Sequence, residues 1–440
     1  MHLVDRLPSF EEINHGDLFG FSLNAKTNAL THGLHRFPAK YIPQIPRWAF
    51  SNLSDDQSVI LDPFMGSGTT LVEGLKFKNK TFGIDIDPLA QMIAAAKIEQ
   101  YSASRLAKLA SQLLSLENAE SYRGEKFLPM TGVKNPGHWF SDKNWLDLCG
   151  LWRGIESLSC TEVERRFFLC VFSSILRWVS NADDQTQKTY VSGTLKKSPP
   201  QVWGRFKRSL SNALSGVNEM DLHRGGGEAE ILSGSALDIP LDEKSVDLII
   251  TSPPYMDSVD YMYNFMLEYF WLGPHLGISS RDEYNKVRRE PVGAKNPNYC
   301  EELLPESIRD IIQLEEVKKY RQKAVIGYFH SMQAHFREAA RVLKDGARYH
   351  LVVGNSQSQS GVITVHDCML RLARNEGLHL EKAFAYRIRR HYMKFPRKGR
   401  GGIILMDWVV TLRKSGRALI SFEDRLPTPN VTIGADEVAH

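Results

Sequence analysis

Ser58-Val59-Ile60-Leu61-Asp62-Pro63-Phe64-Met65-Gly66-Ser67-Gly68-Thr69-Thr70 decides the fold. An apolar, β-branched run ends in an acid, a Gly-Ser-Gly turn follows, and a helix is expected from Thr69 through Leu75. Glycines let a backbone come close to a ligand, and a helix start offers unpaired N–H groups. No lysine follows the last glycine, so this is not a P-loop, and the third glycine of a dinucleotide fingerprint is missing. Asp62 stands where the ammonium of an amino acid could be held. Downstream, Thr81-Phe82-Gly83-Ile84-Asp85-Ile86-Asp87-Pro88 reads as the next strand, ending in acids. An acid about 20 residues past a glycine turn can take a ribose hydroxyl pair. Asp85 fits that place, and Asp87 is expected to cap a helix over 89–98. Together these parts make a nucleoside-cofactor half-site on a parallel α/β sheet.

A second ligand edge lies at Thr251-Ser252-Pro253-Pro254-Tyr255. The apolar strand before it must stop at the two prolines, which donate no hydrogen bond and fix φ. The stiff corner offers a hydroxyl, free carbonyls and a flat ring, parts suited to an aromatic amine. Read alone, it is also compatible with a rigid strand-to-helix turn.

The remaining chain is ordered around these edges. Residues 1–30 read as an irregular lead-in. His35-Arg36-Phe37-Pro38-Ala39-Lys40 forms a basic aromatic loop before a helix over 44–53, able to meet a carboxylate or phosphate or to pack under the sheet. Residues 99–227 are helical in pattern, with stretches at 106–116, 145–158 and 162–179, and form an insertion that could serve target recognition. Within it, Lys188, Tyr190, Lys196 and Lys197 mix the residue types that touch phosphates and bases, although many solvated loops share that composition. The sheet resumes at 228–232 and 246–251. The aromatic helix over 261–272 reads as core, and 276–326 as a charged excursion. A helix (328–343), a turn at 344–346, a strand (349–353) and a closing β-pair (383–388, 403–412) finish the sheet by residue 415, leaving a tail over 416–440.

Between that last pair, residues 387–400 carry seven Arg or Lys and no acid: Arg387, Arg389, Arg390, Lys394, Arg397, Lys398 and Arg400. Uncompensated charge among aromatics and glycines favours nucleic acid over a plain solvated hairpin. Net charge is only +4, so such affinity must be local. The composition, 42% hydrophobic and 24% charged, is that of a globular protein. Five scattered cysteines without a CxxC pair argue against a zinc site or a disulfide framework and fit a reducing cytoplasm. The start lacks a signal-peptide pattern, and the most apolar helix is too short to span a bilayer. A cytoplasmic enzyme without membrane or metal is expected.

Over 30–100 and 228–415 the chain resembles the amino-methylating DNA methyltransferases that use S-adenosylmethionine, with the cofactor half ahead of the catalytic half. The resemblance implies a Rossmann-like α/β methyltransferase sheet with a largely helical insertion. It implies that Asp62, Phe64, Gly66, Gly68, Thr69 and Thr251 hold the cofactor, that Phe37 and Lys40 line its methionine end, and that Asp85 takes its ribose. It makes Ser252, Pro253, Pro254 and Tyr255 the catalytic tetrapeptide. Serine in first place is typical of enzymes acting on cytosine N4, whereas adenine-N6 enzymes more often carry Asp or Asn. Where relatives often have Gly-Asp, this chain has Gly234-Ser235, and Asp238 is the nearby acid left to contact the adenine. Double-stranded DNA is the implied substrate, with a separate cognate restriction endonuclease as a possible partner. Adenine N6, an RNA guanine amine and a non-catalytic DNA-binding module stay open as rivals.

Overall fold

A computed structural model of the chain describes residues 2–21, 27–38, 40–118, 124–184, 188–194, 197–256, 261–292, 301–357, 362–387 and 406–415. Two short strands, β1 (His2–Val4) and β2 (Leu18–Phe21), precede helix α1 (Gln44–Leu53). The half-site then runs β3 (Val59–Asp62), α2 (Thr69–Gly74), β4 (Lys80–Gly83) and α3 (Pro88–Ile98). Four helices follow: α4 (Ala103–Leu114), α5 (Asp142–Ser157), α6 (Glu162–Val179) and α7 (Val202–His223). The chain re-enters the sheet with β5 (Glu228–Ile231) and β6 (Val246–Thr251), leaves it through α8 (Tyr261–Asn264), α9 (Met266–Leu272), α10 (Arg281–Val287) and α11 (Lys319–Val342), and returns as β7 (Leu343–Gly354). A small hairpin, β8 (Ser356–Gln357) with β9 (Val362–Ile363), leads to α12 (Val365–Asn375) and the closing strands β10 (Leu378–Arg387) and β11 (Met406–Lys414).

The main sheet has nine strands in the order β1-β2-β10-β11-β7-β6-β3-β4-β5. Only β11 is antiparallel to its neighbours. Strands buried on both faces need no alternation, and β6 shows this: Val246, Leu248, Ile249 and Ile250 are all fully buried. From β3 the chain steps outward to β4 and β5, then returns to the other side of β3 with β6 and β7. The order therefore reverses at β3 and β6, and an open α/β sheet binds ligands in the crevice outside the carboxyl ends there. Those ends are Asp62 and Thr251. This is the expected Rossmann-like α/β arrangement.

One core joins the helical block α4–α7 to α9, whose Tyr269 and Trp271 are fully buried, so the aromatic helix is core as its spacing implied. Two others fill the faces of the sheet, one under α11 and α12, one under α1. No helix among the described residues is long and apolar enough to cross a membrane.

Several expectations are corrected. The lead-in over 1–30 contributes two strands at one end of the sheet, too short at three and four residues to display a period. The charged excursion is anchored where it is described: Ser280 and Glu283 form a capping box at α10, and Tyr284 is buried with its hydroxyl donating to the Met262 carbonyl at 2.6 Å. Helix α11 starts nine residues before Tyr328, at Lys319, because its first turns are too charged to show an apolar stripe. The expected turn over 344–346 lies within β7, where Gly346 takes φ of +80° beside a register shift. Helix α12 was not foreseen, although Val365, Cys368, Met369 and Leu372 carry helical spacing.

Candidate active site

At the reversal point Asp62 is fully buried, and its oxygens are taken by the protein. Oδ1 accepts from the Thr251 hydroxyl at 2.7 Å and from the Phe64 amide at 3.2 Å. Oδ2 accepts from the Thr70 hydroxyl, which in turn is hydrogen-bonded to the Tyr41 hydroxyl. Burial raises this carboxyl to about 6, and the hydroxyl donors oppose the rise. Asp62 thus bonds the two sequence motifs together. Thr70 and Tyr41 were not singled out from the sequence; a tyrosine directly after the quoted basic aromatic segment was the available signal.

Above this joint the turn after β3 is made by glycines. Gly66 and Gly68 have φ of +49° and +78°. A Cβ on Gly68 would stand 2.9 Å from the Ala94 Cβ of α3, and one on Gly66 would meet the Phe37 ring at 3.5 Å. Phe37 therefore lies over the turn, held against Phe265 at 5.0 Å between centroids. Ser67 Oγ is buried with no hydrogen-bond partner among the described residues. Thr69 is buried at the start of α2.

Asp85 meets the turn from β4's end. Its Oδ2 accepts from Gly66 N at 2.9 Å and its Oδ1 from Asp87 N at 2.8 Å. Burial, then the neighbouring charge of Asp87, pushes this carboxyl up to about 7. Asp87 caps α3 as expected, accepting from Leu89 N and Ala90 N, and also takes the Tyr269 hydroxyl at 2.6 Å. Behind the turn, the fully buried Lys97 donates to the Ser67 carbonyl at 3.0 Å. Lys40 donates to the His32 carbonyl at 3.3 Å, and burial lowers its ammonium to about 8. Lys97 escaped the sequence reading because a lysine on a helix reads as a solvated position.

Phe64 packs edge-on against His335, 4.7 Å between centroids. His335 Nδ1 donates to the Ala236 carbonyl at 2.9 Å, which holds the turn Ser235–Asp238 against the sheet. Asp238 is exposed on that turn.

The corner after β6 is neither helix nor strand. Ser252 Oγ is buried and has no hydrogen-bond partner among the described residues. The Pro254 carbonyl accepts from the Tyr328 hydroxyl of α11 at 2.8 Å. The Tyr255 hydroxyl donates to Asp407 Oδ1 at 2.6 Å, and Tyr386 donates to Asp407 Oδ2 at 2.8 Å. Asp407 and Tyr328 were missed; an isolated acid in the apolar strand Asp407–Leu412 was the signal for the first.

The residues expected on nucleic acid are divided. Lys188 and Tyr190 are exposed, with the Tyr190 hydroxyl on Asp183 at 3.2 Å. Lys197 instead turns inward: its ammonium donates to the Arg177 and Ala182 carbonyls at 2.8 and 3.0 Å and lies 3.5 Å from Asp184. It closes the polar loop after α6 because those carbonyls need a donor. Arg387 ends β10. Lys196, Arg389, Arg390, Lys394, Arg397, Lys398 and Arg400 lie outside the described residues. Beyond the expected set, Arg205 of α7 stacks on Trp178 at 4.5 Å, with Arg36 5.9 Å from the same ring.

A family described as DNA methylase matches residues 11–96. The Type II methyltransferase M.MvaI of Kocuria varians is 28% identical over 386 residues, 80% of this chain and 83% of that one. M.AvaI of Nostoc sp. is 22% identical over 378 residues, 73% of each chain. M.MjaII of Methanocaldococcus jannaschii is 37% identical over 84 residues, which are 19% of this chain and 16% of its own.

Proposed function

We propose, from its similarity to the DNA methylase family over residues 11–96 and to Type II methyltransferases, that the chain methylates the exocyclic N4 amine of a cytosine turned out of duplex DNA. The observation that carries this reading is Ser252 Oγ, buried at the reversal point of the sheet with no hydrogen-bond partner among the described residues. A buried hydroxyl without a partner costs free energy, and an incoming amine proton would remove that cost.

S-adenosylmethionine is the cofactor, and when bound it supplies an electrophilic methyl group on a sulfonium. The residues present fit it. Left-handed glycines leave the turn without side chains, the buried Ser67 Oγ lacks a partner among the described residues, and Asp85 at the end of β4 suits a ribose hydroxyl pair. Phe37 and Lys40 would line the methionine end, with Phe64 and Asp238 toward the adenine. Asp62 supports them from beneath through Thr251 and Thr70.

On the substrate side, Tyr255 stacks on the base. Ser252 Oγ and the Pro253 carbonyl accept the two N4 protons and draw the nitrogen lone pair out of conjugation. Transfer would be a direct in-line displacement in which the N4–carbon bond forms as the sulfur–methyl bond breaks and a thioether is left. The surplus N4 proton departs through Ser252 or water, and positioning supplies most of the acceleration. No covalent intermediate is required. A separate endonuclease with the same recognition sequence belongs to this reading, as for Type II systems.

The experiment is methylation of DNA with labelled cofactor, followed by hydrolysis to nucleosides and mass spectrometry. N4-methylcytosine, lost in Ser252→Ala, is expected. N6-methyladenine would move the reaction to the other amine, transfer to RNA alone would replace DNA as the substrate, and no transfer at all would leave a binding module.

A further inference from the structure

Asp407 lies in none of the sequence motifs, yet it is the second residue of β11 and 5% exposed. No lysine or arginine is hydrogen-bonded to it among the described residues; both oxygens are spent on phenols. A buried carboxylate without a counter-charge is costly, and an apolar residue would complete the strand at lower cost. Phenol-to-carboxylate hydrogen bonds are charge-assisted, and at 2.6 and 2.8 Å these are short. Tyr386 is already buried by packing, so it does not need Asp407 to hold its place. Tyr255 is partly exposed and follows two prolines outside any helix or strand, and its hydroxyl bond to Asp407 ties the far end of the ring to β11.

We propose that Asp407 is the positioning residue for Tyr255, fixing the plane of the stacking ring through its hydroxyl. The proposal rests on the reading of Tyr255 given under Proposed function.

The test uses the full-length protein with Tyr255→Phe, Asp407→Ala, the double variant and the conservative Asp407→Asn. Readouts are kcat, KM for DNA, cofactor dissociation constant and Tm. Tyr255→Phe keeps the ring and removes only its tether, so kcat should fall roughly tenfold while cofactor affinity stays within about twofold. Asp407→Ala should fall as far, and the double variant no further, because both act through one hydrogen bond. Asp407→Asn retains an acceptor and should recover most of kcat. Unchanged kcat in Tyr255→Phe overturns the proposal, as does a double variant whose loss is the product of the singles. If Asp407→Ala does not fold, Tyr255→Phe and Asp407→Asn decide it. A 19F spectrum of fluorotyrosine-labelled protein separates this proposal from the functional one. The Tyr255 resonance should shift in Asp407→Asn even if the wild-type protein transfers no methyl group, and an unmoved resonance also overturns the proposal.

Discussion

Thr251, the last residue of β6, donates its hydroxyl proton to Asp62 Oδ1, the last residue of β3, at 2.7 Å. The bond spans 189 residues of sequence and joins the strands between which the sheet reverses direction. The cofactor turn grows from one partner and the catalytic corner from the other. Their relative placement is thus set by one buried carboxylate and its three hydrogen-bond donors.

Thr251→Val tests that joint. Valine keeps the shape and the β propensity but removes the donor, leaving Asp62 Oδ1 with the longer Phe64 amide bond alone. A buried acceptor that loses a partner costs about 1–3 kcal/mol. Urea denaturation should register that loss. Cofactor affinity should fall with it, because the turn and the corner lose their common anchor.

Much of this site was legible because its chemistry is local in sequence. A strand that ends in an acid, turns on glycines and restarts as a helix is specified within Ser58–Thr70, and the prolines at 253 and 254 stop a strand wherever they occur. What escaped depends on contacts between distant segments. Tyr41 reaches Thr70, Tyr328 reaches Pro254 and Asp407 reaches Tyr255 only once the sheet has formed. Lys197 shows the converse: its composition suggested a phosphate contact, but three carbonyl and carboxylate oxygens around it claim the ammonium. The strands β1 and β2 were hidden by length, since four residues hold no readable period.

Cofactor binding should depend on pH through Asp85. Its carboxyl is held up to about 7, by burial first and by Asp87 second. Ribose hydroxyls donate to the ionised form, so affinity should be full above pH 7 and fall as pH drops through it, approaching about tenfold per unit. Stability of the cofactor-free protein moves the other way for this group. A pKa raised in the folded state costs stability above that value, and the cost disappears as pH falls toward the ordinary carboxyl range. Calorimetric titration from pH 5.5 to 8.5 checks the first sign, and Asp85→Asn should flatten the curve.

Glu73 predicts an acid limit to the fold. Burial pushes its carboxyl up, but hydrogen bonds from His32 and Arg47 outweigh that and hold it near 2. His32 is itself lowered to about 4 by burial, so at pH 7 it donates as a neutral imidazole, and Arg47 supplies the charge together with Lys76, whose ammonium lies 3.3 Å from Glu73 Oε2. A depressed folded pKa contributes stability above the unfolded value of about 4.5, lost as pH falls toward 2. Arg47→Met should cost about 2 kcal/mol at pH 7, less than a fully enclosed pair because Arg47 is 40% exposed. The difference between variant and wild type should shrink at pH 3, measured by denaturant unfolding at both pH values.

Gly68→Ala should be among the most damaging single changes in the cofactor turn. Its φ of +78° is left-handed, which costs a residue with a Cβ roughly 1 kcal/mol or more. The new methyl would also stand 2.9 Å from Ala94 Cβ, and both carbons are fixed to backbone, so neither can swing aside. Either α3 moves or the turn opens, and an opened turn takes the Gly66 amide away from Asp85. The two costs can be separated. Ala94→Gly in the same chain removes the clash but not the left-handed strain, so the double variant should regain part of the lost Tm and part of the cofactor affinity. Full recovery would mean that contact with α3 was the whole cost, and no recovery that the backbone conformation was.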